Sequence, residues 1–182
     1  MTLYLLTHER ELNKATNTGQ LVKKCLGGYV KVIIWRRKEP DLNLVELINQ
    51  GKVAMLFPEQ PNQNNLLVEK FDDKAQLSES VGLNVYNDDR DNGKGDIKDF
   101  EVFVILDSTW QEARKMYKRS AYLQQAKKIS LHVDEPSTYR KRRNQIEGGL
   151  STAECVIALL KQKNKQTLAT VLQQEYDVFN LS

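Results

Sequence analysis

Phe103-Val104-Ile105-Leu106-Asp107-Ser108-Thr109-Trp110-Gln111-Glu112-Ala113-Arg114-Lys115-Met116 is the stretch from which the architecture is read. The most hydrophobic strand of the chain, Phe100 to Leu106, runs into an acid, and a helix follows from about Trp110 to Arg119. An acid at the carboxyl end of a buried strand, directly before a helix, stands where α/β sheets bind their ligands. The helix start supplies free backbone N–H groups beside it, and Trp110 offers a flat apolar face to a planar ring. A purely structural reading stands next to this one. Thr109 and Glu112 have the spacing of a capping box, Asp107 could be a second cap contact, and Trp110 could anchor the core.

Outward from that turn, short apolar runs alternate with amphipathic stretches, the pattern of an α/β domain. Strands are expected at Leu3–Leu6, Val30–Trp35, Val53–Phe57 and Lys128–Val133. Helices are expected at Gln20–Leu26 (stopped by Gly27-Gly28), Leu42–Asn49, Thr152 to about Lys163, and Thr167 to about Phe179. Strands separated by helices imply a mostly parallel sheet with right-handed crossovers, flanked by helices. The 182 residues fit a single domain spanning 1–182. The segment 60–99, with Asn-Gln-Asn-Asn and a second Asn/Asp/Gly-rich run, reads as long loops and a possible insertion.

Charge is divided unevenly. Glu69 to Glu101 carries ten acidic side chains against five basic, and Trp110 to Gln145 ten basic against three acidic. The second cluster could neutralise a phosphate backbone, or it could be an ordinary solvated surface. The two cysteines, Cys25 and Cys155, lack metal-ligand spacing and sit among apolar neighbours, so free thiols in a reducing cytoplasm are expected, with no metal. The first apolar stretch is too short for a signal sequence or membrane span. No membrane partner and no obligate protein partner is expected.

Asp107-Ser108-Thr109-Trp110 matches the Asp-x-Thr-Trp signature of the DTW-domain family, and the chain resembles that family over nearly its whole length. Further landmarks in the same order are Asn17-Thr18-Gly19, Trp35-Arg36, Ser137-x-Tyr139-Arg140 and Gly149-Leu150-Ser151-Thr152-Ala153-Glu154. The resemblance implies a SPOUT-like fold with a C-terminal knot. It also implies transfer of the 3-amino-3-carboxypropyl group of S-adenosylmethionine to N3 of a uridine in the variable loop of tRNA. Members often carry a cysteine-rich N-terminal segment, whereas this chain begins at its first strand. An RNA methyltransferase using the same pocket and a non-catalytic RNA-binding protein are the rival functions.

The resemblance makes Asp107, Thr109 and Trp110 the catalytic candidates. Trp110 would pack on the cofactor, and Asp107 would either bind ribose hydroxyls or draw the N3 proton. Thr18 and Gly19 open a helix, and their N–H groups could receive the cofactor's carboxylate; equally, Thr18 could be a plain cap. Gly149, Ser151 and Thr152 form a second glycine-containing loop before a helix, where Ser151 and Glu154 again have capping-box spacing. Arg140, Arg142 and Arg143 beside Tyr139 are the RNA-contact candidates, through phosphate pairing and base stacking. Arg114 and Lys118, four residues apart on one helix, could extend that surface. Trp35 could be pocket wall or core, and His8-Glu9-Arg10 could face the site or be a polar loop.

Overall fold

A computed structural model describes residues 1–56, 96–131, 133, 137–141 and 149–181. Strands β1 (Thr2–Thr7), β2 (Val30–Ile34), β3 (Val53–Leu56), β4 (Val102–Asp107) and β5 (Lys127–Ile129) form one sheet in the order β2-β1-β4-β3-β5. Every pairing is parallel, and Thr7 lies opposite Asp107 at the carboxyl end of the central pair. All the strand-to-helix turns therefore open on one edge of the sheet. The helices are α1 (Thr18–Leu26), α2 (Leu42–Asn49), α3 (Trp110–Lys118), the one-turn α4 (Ala121–Gln124), α5 (Thr152–Gln162) and α6 (Gln166–Leu181).

Strand side chains alternate between the two faces of the sheet, and the core divides accordingly. Leu3, Leu5, Ala54, Phe103 and Ile105 pack with Leu21, Val22 and Leu26 of α1, Val156, Leu159 and Leu160 of α5, and Leu172 and Tyr176 of α6. Tyr4, Leu6, Val53, Met55 and Val104 pack instead with Leu44 and Ile48 of α2, Met116 of α3 and Leu123 of α4. The sheet is thus covered on both sides, as a wholly parallel sheet requires. Its connections diverge at the centre: from β1 the chain leaves through α1 toward β2, and from β4 it leaves through α3 on the other face toward β5. That divergence between β1 and β4 is a topological switch point, where a crevice opens beyond the strand ends.

The expected elements are present with adjusted limits. Helix α2 spans the residues expected of it, and α1 begins at Thr18 rather than Gln20. Gly27 ends α1 at φ +48°, a conformation open to glycine without steric cost. Strand β5 is Lys127–Ile129, shorter than the alternation Ile129, Leu131, Val133 suggests, and it pairs with β3 from Ala54–Lys127 to Leu56–Ile129. Strand β4 starts at Val102 rather than Phe100, since β1 supplies its first partner at Thr2. The short α4 has too few residues to show a period. Phe57, and the loop-rich segment expected over 60–99 as far as residue 95, lie outside the described residues; Ile97–Asp99 forms a 3-10 turn. No helix among the described residues is long and apolar enough to cross a membrane.

Phe103 is wholly buried, whereas Leu42, at the start of α2, is 80% exposed. Phe103→Ala should cost about 3–5 kcal/mol in chemical denaturation, and Leu42→Ala about 0.5 kcal/mol or less.

Candidate active site at the centre of the sheet

Asp107 ends β4 on the same face as Phe103 and Ile105, so its side chain turns toward α1 and α5 and away from the helix that follows it. The residue is buried, at 4% exposure. Its Oδ2 accepts from Thr7 Oγ1 at 3.0 Å and from Asn17 Nδ2 at 3.2 Å, and its Oδ1 accepts from Thr152 Oγ1 at 2.8 Å. One carboxylate thereby joins the end of β1, the start of α1 and the start of α5 to the central strand. Burial pushes its carboxyl above the ordinary range. The donors Thr152, Asn17 and Thr7 pull it back only in part, and the nearby Glu11 adds a further upward push. Asp107 is not a cap of α3, because its acceptor atoms serve the opposite face.

The starts of α1 and α5 meet over this carboxylate. Asn17, not Thr18, caps α1: its Oδ1 accepts from Gly19 N at 2.6 Å and Gln20 N at 3.3 Å, while its Nδ2 reaches Asp107 and, at 2.8 Å, the carbonyl of Glu11. Thr18 turns its hydroxyl to the N–H of Ala153 in the first turn of α5, at 3.3 Å. Ser151 caps α5 in a full capping box with Glu154, and Thr152 serves Asp107. Gly19 fits because it has no side chain: a Cβ there would lie 2.6 Å from Asp107 Cγ and 2.7 Å from Oδ1. Gly149 is buried just before this turn.

On the other face, Thr109 caps α3, accepting from Glu112 N at 3.3 Å and donating to Glu112 Oε2 at 3.1 Å. Burial pushes the Glu112 carboxyl up, but the Thr109 hydroxyl and the electrostatic influence of His8 and Lys14 outweigh it and leave it lowered. Trp110 is half-buried and belongs to neither core cluster. Across the switch point, His8 stacks on Trp35 with centroids 5.7 Å apart, and Trp35 Nε1 donates to Ser120 Oγ at 2.9 Å. Trp35 packs against the core on the α2–α3 side.

The remaining sequence candidates are spread more widely. Arg114 and Lys118 are exposed on α3. Tyr139 is buried at 6% exposure, its ring packed in the α1–α5–α6 core and its hydroxyl donating to Thr16 O at 2.5 Å, so it offers no open ring for stacking on a base. Arg140 is exposed, with its N–H fixed to Asn180 Oδ1 at 3.0 Å. Arg142 and Arg143 lie outside the described residues. Of the residues at the carboxylate, Thr7 escapes a reading by motif, and Asn17 stands in the Asn17-Thr18-Gly19 landmark without a role assigned to it. Asn17 carried a usable signal, since asparagine is among the strongest N-caps; Thr7 becomes visible only once the register of β1 against β4 is known.

A family model described as DTW domain matches residues 1–181 of the chain. The chain is also similar to tRNA-uridine aminocarboxypropyltransferase 2 of Macaca fascicularis, at 25% identity over 176 residues, covering 94% of this chain and 51% of that protein. It thus spans about half the length of the curated relative it matches. No solved structure matches it.

Gly19→Ala should force the Asp107 carboxylate out of place and lower stability by about 1–3 kcal/mol, an overpacking cost measurable by thermal or chemical melting. A raised carboxyl favours the protonated folded state. The contribution of Asp107 to stability is therefore fully present below the unfolded carboxyl range and is lost as pH rises through the raised folded value. Asp107→Asn should remove that slope from the pH–stability curve. Asp107→Ala should instead destabilise at every pH by about 1–3 kcal/mol, because it strands buried donors.

Proposed function

The chain belongs to the DTW-domain family, and on that premise we propose that it transfers the 3-amino-3-carboxypropyl group of S-adenosylmethionine to N3 of a tRNA uridine, releasing methylthioadenosine. The observation that carries this reading is the position of the Asp107–Trp110 turn. It sits at the switch point of the sheet, with an indole that no core cluster claims. A half-buried aromatic face without a core role suits the flat adenine ring or the methionine chain of the donor.

In the reaction N3 of the uridine gives up its proton to solvent and forms a bond to the γ-carbon of the donor. The bond from that carbon to sulfur breaks, and its electron pair stays on sulfur, so neutral methylthioadenosine departs. The same donor carries a methyl group of comparable reactivity, and the outcome rests on which carbon faces the nucleophile. We assign that positioning to the frame built on Asp107. Thr18, Gly19, Gly149, Ser151 and Thr152 form its α1–α5 wall, with Gly19 allowing the close approach and Ser151 and Thr109 fixing the helix starts. Asp107 acts here as a positioning residue, its carboxylate already engaged by Thr7, Asn17 and Thr152.

For tRNA, the exposed Arg114, Lys118 and Arg140 are the proposed phosphate contacts, with Arg142 and Arg143 continuing the same basic run in sequence. Free Cys25 and Cys155 suit a cytoplasmic enzyme. We also propose the finer fold identity, SPOUT-like with a knotted C-terminal segment. Its support is that Tyr139 lies across the start of α1, bonded to Thr16, while α5 and α6 beyond it pack into the same core as α1.

Incubation with unmodified tRNA and S-adenosylmethionine labelled in either the carboxyl or the methyl group decides the reaction. Carboxyl label alone should enter tRNA; methyl label would make the enzyme a methyltransferase, and neither label would leave a binding protein. Under the same assay Asp107→Asn should fall by about 10²-fold, with tRNA binding retained, as expected for lost alignment. Arg114→Glu combined with Lys118→Glu should weaken tRNA binding and flatten its dependence on salt, measured by filter binding across a salt series.

A further inference from the structure

His8 follows β1 as Asp107 to Trp110 follow β4, so it stands on the opposite lip of the switch-point crevice. The two lips are joined directly, because the N–H of His8 donates to the carbonyl of Asp107 at 3.3 Å. Two contacts fix the imidazole, and a third bond anchors one of its partners. Its Nδ1 accepts from the N–H of Arg10 at 3.2 Å, closing a short 3-10 turn. Its plane lies on Trp35, tilted by 28°. Trp35 in turn is held through Ser120, which is buried after α3.

A neutral imidazole has one donor and one acceptor nitrogen. With Nδ1 accepting, the proton resides on Nε2, so the ring presents a fixed N–H donor. No described residue hydrogen-bonds Nε2. Glu112, on the first turn of α3, is the charged group that interacts with this ring across the crevice; Glu9 and Arg10 beside it are exposed. A half-buried donor held by backbone, stacking and an anchored indole, and left unused by the fold, has the form of a substrate contact.

We propose that His8 touches the base being modified, its Nε2–H donating to a carbonyl oxygen of the uracil ring. This rests on the uridine-N3 reading above. When N3 loses its proton the negative charge spreads onto the two flanking carbonyl oxygens, and a preorganised donor at one of them stabilises the nucleophile. The proton goes to water, the new N3–carbon bond forms as the carbon–sulfur bond breaks, and His8 keeps its own proton throughout.

Two substitutions separate this role from a structural one. In His8→Asn the side-chain oxygen can still accept from Arg10, so the turn is kept and the Nε2 donor is lost; in His8→Gln the amide nitrogen reaches toward the Nε2 position. The Asn variant should melt like the parent yet lose about 10²-fold in kcat with little change in KM for tRNA, and the Gln variant should recover most of that loss. An Asn variant as fast as the parent, or a Gln variant no better than Asn, overturns the proposal. Nitrogen NMR of the histidine-labelled chain, which has two histidines, gives a readout free of turnover. The Nε2–H resonance missing from His8→Asn should move downfield when unmodified tRNA is added. Carboxyl-label transfer with no such shift removes the contact and leaves the reaction. The shift without transfer keeps the contact and removes the reaction, and the absence of both removes both.

Discussion

A carboxylate withdrawn from water needs hydrogen-bond donors in its place, or it costs several kcal/mol and shifts its protonation instead. At Asp107 the donors come from three separate parts of the chain, and each is tied to a second task. Thr7 is the last residue of β1, Asn17 is the cap of α1, and Thr152 is the first residue of α5. The carboxylate can sit there only if α1 approaches without a side chain at Gly19. Satisfying one buried charge therefore fixes where the two helices begin relative to the central strands, and the shape of the crevice edge follows from it.

The same geometry explains why the acid and the tryptophan of one short turn do different things. Strand alternation sends the Asp107 side chain to the α1–α5 face, and the helix that starts three residues later carries Trp110 to the other. One face of the turn builds the frame and the other is left open to a ligand. The displacement proposed above asks for this division. A transition state that differs from its competitor only in which carbon is approached is selected by placement, and placement is better held by groups already fully engaged with the protein.

Much of the fold was legible because local signals and tertiary ones agreed. The buried central strand, with limits shifted to Val102–Asp107, the helix Leu42–Asn49 and the stop at Gly27 all follow the sequence pattern. Where reading fell short, a longer-range fact intervened. The alternation at Leu131 and Val133 predicts more strand than the Lys127–Ile129 that pairs with β3, so side-chain period alone does not set a strand's end. Tyr139 lies in a run of arginines that suggests an exposed surface, yet its ring fills a place between α1 and α6 that no local pattern encodes. Sequence leaves the cap of α1 open, because Asn17 and Thr18 are both good caps; the bonds of Gly19 N and Gln20 N to Asn17 and of Ala153 N to Thr18 separate them. At the site, Asp107, Gly19 and Thr152 carry the signature that names them, whereas Thr7 depends on register alone.

The N–H groups at the helix starts show how far the site's own structure limits its ligand. In α1 the second and third first-turn amides are taken by Asn17, and in α5 by Thr18 and Ser151. In α3 only the third is taken, by Thr109. Among the described residues the amides of Trp110 and Gln111 have no acceptor, and they lie beside the half-buried indole. Those two amides share the helix start with the Glu112 carboxylate, whose lowered pKa favours its charged form and offsets the attraction of that start for a further anion. At α1 an anion would have to displace a buried cap that also holds Asp107. On the reading proposed above, the uncommitted donors of α3 lie on the Trp110 side of the crevice, the side on which His8 stands.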